Sequence, residues 1–197
     1  MGEQALVGLP AEIKDRERRV ALTPSAVHLL IERGHRVVVQ AGAGRGAGFA
    51  DDDYLEAGAT LSEDVAEVWA SEVVVKVKEP QPQEFGFLRE GLTLFGYLHL
   101  AAAPALTEAL MASGVAAYAF ETLTDAHGLP LLAPMSEVAG RAAVIFGAAH
   151  LSAAMGGNGT LMGGAAGVPP AKVVVIGLGV AGSIAARGAR GLGAHVT

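Results

Sequence analysis

Lys172-Val-Val-Val-Ile-Gly177-Leu-Gly179-Val-Ala-Gly182 decides the fold. The aliphatic run 172–176 reads as a strand with no polar face, the pattern of a central parallel strand buried on both sides. It runs straight into G-x-G-x-x-G, and a helix is predicted from 180 to 192. The first N–H groups of such a helix point at a ligand, and no Cβ stands in the way of a pyrophosphate. Glycine frequency alone yields roughly 0.5 chance matches in a chain of this composition, so the context carries the reading and the string does not. Gly42-Ala-Gly44-Arg-Gly46-Ala47 fits the G-x-G-x-x-A variant but leads into Phe49 and the acids Asp51, Asp52 and Asp53. Those carboxylates repel a phosphate, so this second match reads as a structural turn. The acid that reads the ribose is expected about 20 residues beyond Gly177, at Thr197 or past it, and the fingerprint leaves NAD and NADP undistinguished.

Working outward, short β-branched runs alternate with helical patterns. Residues 5–9, 37–40, 73–77, 92–98 and 115–119 read as strands, and 23–33, 62–70 and 104–113 as helices. Thr23 stands at an N-cap with Pro24 behind it, and Gly34 stands where a C′ glycine belongs. Ser62, followed by Glu63 and Asp64, is expected to start the next helix. A longer helix is predicted over 135–150. It is followed by a stretch dense in glycine, 155–170, which reads as the domain boundary. The fold class is α/β: a parallel-sheet, Rossmann-like substrate domain and then the start of an NAD(P)-binding Rossmann domain. The expected division is 1–134 for the substrate and catalytic domain, 135–170 for a connecting helix and linker, and 171–197 for the first part of the nucleotide domain.

Composition agrees. Of 197 residues, 51% are hydrophobic and 17% charged, which excludes a disordered or coiled-coil chain. There is no cysteine, hence no disulfide, thiolate metal site or cysteine nucleophile. The net charge of −6 with no basic cluster argues against a nucleic-acid footprint. The first ten residues lack the features of a signal peptide, and Arg141 and His150 interrupt the longest apolar stretch. A soluble, cytoplasmic protein is the expectation.

Polar residues in apolar settings supply the candidate chemistry. Lys76 and Lys78 are two apart on one strand and so share a face, either solvated or entering the crevice where α/β sheets bind ligands. His99, in Tyr97-Leu-His-Leu-Ala101, ends the next aliphatic strand; it is either a packed core histidine or a group sharing that crevice. Two lysine cations and no nearby acid would depress its pKa and suit it to accept a proton. In the charged loop 12–19 most side chains are expected in solvent. Arg19, just before Val20-Ala-Leu22, is the one expected to turn inward and grip a carboxylate with both arms of its fork. The spacing of His28, His35, His127 and His195 yields no metal site.

These strings together resemble the alanine dehydrogenase family. The matching residues are Val7-Gly-Leu-Pro10-Ala-Glu12-Ile-Lys14, Arg19-Val-Ala-Leu-Thr-Pro24, Lys76-Val-Lys-Glu-Pro80, Tyr97-Leu-His-Leu-Ala101, the run from Leu129 to Arg141, and the Gly177 fingerprint. The related α subunits of proton-translocating nicotinamide nucleotide transhydrogenases are similar in the opening loop, at Met135-Ser136, and at Val168-Pro-Pro-Ala-Lys-Val173. They typically lack the Lys-Val-Lys-Glu-Pro and Tyr-Leu-His-Leu-Ala strings. The resemblance implies reversible oxidative deamination of L-alanine to pyruvate and ammonia with NAD as cofactor, and a homo-oligomer, commonly a hexamer. It implies that Arg19 and Lys78 bind substrate, that His99 is the catalytic acid and base, and that Ser136, Gly177, Gly179, Val180 and Gly182 contact the cofactor. It implies no metal and gives Lys76 no role. Gly96, Phe120 and Ala165-Ala166 depart from the family pattern as packing changes. Family members run on past residue 197, so the chain is expected to be a truncated or split member holding half of the active site. The alternatives are a transhydrogenase subunit with a membrane partner and a non-catalytic remnant.

Overall fold

The computed structural model describes residues 4–197 and divides into two compact units, one ending at Leu123 and the other running from Thr124. The long helix and the glycine-dense stretch, expected as a connection, lie inside the second unit.

The first unit is built on a six-stranded, wholly parallel sheet. In chain order its elements are β1 (Leu6–Leu9), α1 (Pro24–Glu32), β2 (Arg36–Gln40), α2 (Asp51–Glu56), β3 (Thr60–Ser62), α3 (Val65–Trp69), β4 (Val73–Lys78), β5 (Thr93–Tyr97), α4 (Pro104–Ser113) and β6 (Ala116–Ala119). The strand order is β3-β2-β1-β4-β5-β6. The chain winds one way from β1 and returns to wind the other way from β4. Between these two strands lies the switch point outside whose carboxyl ends such sheets hold ligands.

The local reasons are those read from the sequence. Thr23 Oγ1 accepts from the N–H of Ala26 at 3.3 Å, with Pro24 in the first turn of α1. Gly34 follows the helix at φ +92°, in the left-handed region that glycine enters without a Cβ penalty. Gly8 is required for packing: a Cβ there would sit 2.3 Å from the carbonyl oxygen of Val68, so α3 lies directly on β1. Val7, Leu9, Val27, Val37, Val39 and Tyr54 fill the core around β1 and β2, and Trp69, Val74, Leu92, Leu94, Leu98 and Leu106 fill it around β4 and β5. Each large side chain so buried contributes about 1.5–3 kcal/mol relative to exposure.

Two elements differ from expectation. Ser62 ends a strand, and α3 is capped by Asp64, whose Oδ1 accepts from the N–H of Ala66 at 2.8 Å. The acid run 51–53 forms the first turn of α2, a good place for carboxylates beside unpaired N–H groups.

In the second unit, α5 (Ala133–Leu151) packs along α6 (Val180–Gly191), and β7 (Lys172–Val173) pairs in parallel with β8 (His195–Val196). Small residues set the helix contact. A Cβ on Gly140 would meet the Ala181 carbonyl oxygen at 2.4 Å, and one on Gly188 would meet Val144 at 3.2 Å. These pairings run the helices in the same direction. The glycine-dense stretch is likewise packed, with Met162 buried and Gly163 against the Leu192 carbonyl oxygen. The expectation of a strand over 172–176 buried on both faces is corrected. Among the described residues β7 has a single neighbour, Val174 is 71% exposed and Ile176 98% exposed, because burial on both faces needs flanking strands and covering helices.

Candidate active site

The carboxyl ends of β1, β4 and β5 carry the candidate residues of the first unit. β1 leads into the charged loop, and β4 ends on Lys76-Val-Lys78, with Glu79 just beyond it. Beyond β5 comes a turn of 3-10 helix, Leu100–Ala102, with His99 at its entrance.

β4 is irregular where it matters. Its register against β5 shifts between Val75 and Lys78. Glu12 fills the gap: Oε1 accepts from the N–H of Val77 at 2.5 Å and Oε2 from that of Lys78 at 3.3 Å. A carboxylate from the loop after β1 thus replaces ladder bonds at the end of β4 and fixes the backbone of Lys78. The regular alternation that put Lys76 and Lys78 on one face is interrupted by this shift. Lys76 turns into the interior, 1% exposed, with its ammonium 2.7 Å from Glu84 Oε1, 3.5 Å from Glu12 Oε2 and 5.9 Å from the centre of the Trp69 ring. The residue without a role in the sequence is the cation of a buried three-charge cluster. Burial pushes the Glu12 carboxyl up from its ordinary value, partly offset by Lys76 and the two N–H donors, while Glu84 adds to the rise.

The inward turn expected of Arg19 is corrected: its side chain is 46% exposed, and its fork closes on the neighbouring Glu17 carboxylate. Nε lies 2.8 Å from Oε1, and an Nη lies 2.6 Å from Oε2. The hydrogen bond from Arg19 holds the Glu17 carboxyl down to about 2 against the opposing effect of burial. Lys78 acts on the same carboxylate, and Arg19 acts on the Tyr97 hydroxyl, so Arg19, Lys78 and Tyr97 share one electrostatic neighbourhood. The expectation that loop 12–19 is mostly solvated holds for Asp15, Arg16, Arg18 and Arg19, whereas the Glu12 and Glu17 side chains are 3% and 8% exposed.

His99 carries a left-handed backbone, φ 50° and ψ 39°, uncommon for a residue with a side chain and concentrated at functional sites. Glu121, just beyond β6, holds it there: its carboxylate accepts from the N–H of His99 at 2.6 Å and of Leu98 at 3.1 Å. The imidazole Nδ1 lies 3.4 Å from Glu79 Oε2 and 3.3 Å from the carbonyl oxygen of Tyr97. The surroundings with no acid expected for His99 are therefore corrected. Glu79 also pairs with the Lys14 ammonium. Burial opposes the charge on Glu79, but the bonds from Lys14 and the backbone, with His99 nearby, hold its carboxyl below the ordinary value. A cavity of about 470 Å³ opens beside His99, lined by Leu98, Ala101, Ala119, Glu121 and Thr122. Phe120 packs edge-on against Tyr97, ring centres 5.3 Å apart.

The two glycine fingerprints separate on geometry. At Gly42 the loop is filled by the protein itself. Asp51 accepts from the Gly42 N–H at 2.7 Å, Gly44 lies under the Tyr54 ring, and Gly46 lies against the Arg18 backbone. At 177–182 the roles expected of a dinucleotide turn are present. Gly177 turns at φ +94°. A Cβ on Gly179 would meet nothing within 4 Å, and one on Gly182 would lie 1.9 Å from the Gly177 carbonyl oxygen. Val180 starts α6, and Ser136 lies one turn before Gly140, at the fingerprint end of the parallel helix pair. Open space above a helix N-terminus and close packing below it fit a pyrophosphate.

Sequence reasoning missed Glu12, Glu79, Glu84 and Glu121. Glu79 and Glu12 lie in quoted strings, but their partners come from other strands, and nothing along the chain marks them. Among the described residues no cluster of three or more His, Asp or Glu is placed to hold a metal, and no helix is long and apolar enough to cross a membrane.

Comparison with known proteins matches residues 8–139 to the alanine dehydrogenase/PNT N-terminal domain and residues 143–197 to the alanine dehydrogenase/PNT C-terminal domain. Alanine dehydrogenases of Mycolicibacterium smegmatis and Bacillus subtilis are 55% and 53% identical over 98% of the chain. The chain spans about half the length of these relatives, 52% and 51%. A solved L-alanine dehydrogenase superposes with a TM-score of 0.89 at 52% identity, over 96% of this chain and 53% of that one. A transhydrogenase from Sinorhizobium meliloti superposes with a TM-score of 0.80 at 34% identity, over 97% of this chain and 57% of that one.

Proposed function

The chain belongs to the alanine dehydrogenase/PNT family, and on that footing we propose that it carries the substrate half and the cofactor cradle of an NAD-dependent L-alanine dehydrogenase. The supporting observation is the placement of Arg19, Lys78, Tyr97 and His99 at or just beyond the carboxyl ends of β1, β4 and β5. Arg19 and Lys78 supply fixed positive charge for the carboxylate and the carbonyl or imine oxygen of alanine and pyruvate. Glu17 keeps the guanidinium oriented until a substrate carboxylate competes for it. His99 moves the proton when water adds to the imine and when the carbinolamine releases ammonia.

Gly177, Gly179, Val180 and Gly182, with Ser136 at the same end of the helix pair, would hold NAD, which supplies the hydride acceptor when bound. The assembly is proposed as a homo-oligomer and its location as the cytoplasm.

The test is alanine-dependent formation of NADH by the complete enzyme that carries this chain, together with pyruvate- and ammonium-dependent oxidation of NADH. His99→Ala is expected to lose both while keeping nucleotide affinity. Hydride exchange between two nicotinamides without any need for alanine would select the transhydrogenase reading. Nucleotide binding with neither reaction would point to a non-catalytic remnant.

A further inference from the structure

We propose that Glu79 is the positioning residue of His99: it holds the imidazole with its proton on Nδ1 and leaves Nε2 as the nitrogen that exchanges protons with the substrate. The proposal rests on the alanine dehydrogenase reading for the identity of the reaction, and on geometry alone for the state of the ring.

Two acceptors face one nitrogen. Nδ1 of His99 has the Tyr97 carbonyl oxygen at 3.3 Å and Glu79 Oε2 at 3.4 Å. A carbonyl and a carboxylate accept and do not donate, so a lone pair on Nδ1 would face two other lone pairs, whereas an N–H satisfies them. Glu79 supplies an independent reason. Its Oε2 is buried and has no hydrogen-bond donor among the described residues, while its other oxygen takes the Lys14 ammonium. A buried charged acceptor without a donor is costly, and the His99 ring, 3.4 Å away, can relieve it. Lys14 anchors Glu79 from the loop after β1, Glu79 orients the ring from the end of β4, and Glu121 fixes the backbone of His99 from the end of β6. The Tyr97 ring is centred 6.2 Å from the imidazole. The order cation, carboxylate, imidazole is one in which the outer groups set tautomer and direction and the inner group does the chemistry.

The experiment is nitrogen NMR on protein carrying ¹⁵N-histidine, with the His99 signals assigned by their loss in His99→Asn. In the wild-type protein the neutral ring is expected as the Nδ1–H tautomer. Finding Nε2–H instead overturns the proposal without any variant of Glu79. Glu79→Gln is expected to shift the population toward Nε2–H, because the amide can turn its donor toward Nδ1, and Glu79→Asp is expected to keep the wild-type tautomer in part. An unchanged tautomer in Glu79→Gln, in a protein whose amide spectrum stays native, also overturns it and assigns the orientation to the Tyr97 carbonyl alone. In turnover, Glu79→Gln is expected to lower kcat by about 10- to 100-fold with little change in KM for alanine. Failure of the alanine reaction in the wild type, with a tautomer that still follows Glu79, refutes the activity and leaves the positioning in place.

Discussion

Lys76 Nζ lies 2.7 Å from Glu84 Oε1 in a setting where the lysine side chain is 1% exposed and the glutamate 5%. With Glu12 beside them, two carboxylates share one ammonium beneath the site. Removing the shared cation leaves Glu12 with only the N–H donors of Val77 and Lys78 and Glu84 with that of Gln81, two buried carboxylates without a counter-charge. Lys76→Met is therefore expected to destabilise the first unit by about 3–5 kcal/mol, read by urea denaturation. Without the lysine, burial and the nearby Glu84 raise the Glu12 carboxyl unopposed by a cation, so Glu12 folds more favourably when protonated. Stability from that proton is present at acid pH and lost as pH rises, and the deficit of the variant should shrink on acidification. A loss below about 1 kcal/mol at neutral pH would show that the cluster is not closed to water.

The Arg19–Glu17 pair gives a second pH signature with the opposite sign. Glu17 is held down to about 2 by Arg19. A carboxyl with a lowered folded pKa contributes stability above its ordinary value of 4.5, and that contribution fades as pH falls from there toward 2. Arg19 is 46% exposed, which limits the contribution to about 1 kcal/mol. Glu17→Gln should flatten the acid limb of the unfolding profile between these values. In the proposed enzyme it should also lower KM for alanine, because a competitor for the guanidinium is gone. An unchanged acid limb and an unchanged KM would together remove Glu17 from both roles.

His99 sits in a left-handed conformation that costs a residue with a side chain about 1 kcal/mol. His99→Gly relieves that cost, so its unfolding midpoint should stay level or rise despite the loss of ring contacts, while turnover disappears. His99→Ala, which keeps the strain, should be the less stable of the two. Thermal unfolding of the pair checks this, and a glycine variant less stable than the alanine one would contradict it.

The fingerprint glycines should fail differently. Gly179→Ala places a methyl in open space, so the second unit should fold and bind NAD about 10-fold or more weakly, where the methyl meets the pyrophosphate. Gly182→Ala places a methyl 1.9 Å from the Gly177 carbonyl oxygen, so it should disturb the turn itself and lower stability. Calorimetric titration with NAD, alongside circular dichroism, separates the two. Equal losses of affinity and of folding in both variants would contradict the division of labour.

Much of the first unit was legible because its signals are local. The β1, β2, β4, β5 and β6 strands are short aliphatic runs, and α1 announces itself through Thr23, Pro24 and Gly34. β3 and α2 were not read, since three residues ending in Ser62 carry no period and three acids look like a solvated loop. The candidates Arg19, Lys78 and His99 stood out as polar residues at the ends of apolar runs, and the structure brings them to the carboxyl edge of one sheet. Their electrostatics were not legible. Glu79, Glu121, Glu12 and Glu17 change the charge around each of them, and every one of those contacts except Arg19–Glu17 joins segments far apart along the chain.

Periodicity, turn residues and strand-end polarity are properties of neighbouring residues, and they determined an α/β parallel fold, which of the two glycine strings opens a helix, and the positions of the candidate groups. Which carboxylate faces which cation depends on how β1, β4, β5 and β6 lie side by side. Parallel strands are joined by distant crossovers, so the residues that meet at their ends share no sequence spacing. That packing alone decided that Lys76 is buried with Glu12 and Glu84, that Asp51 closes the decoy loop, and that His99 stands between Glu79 and Glu121.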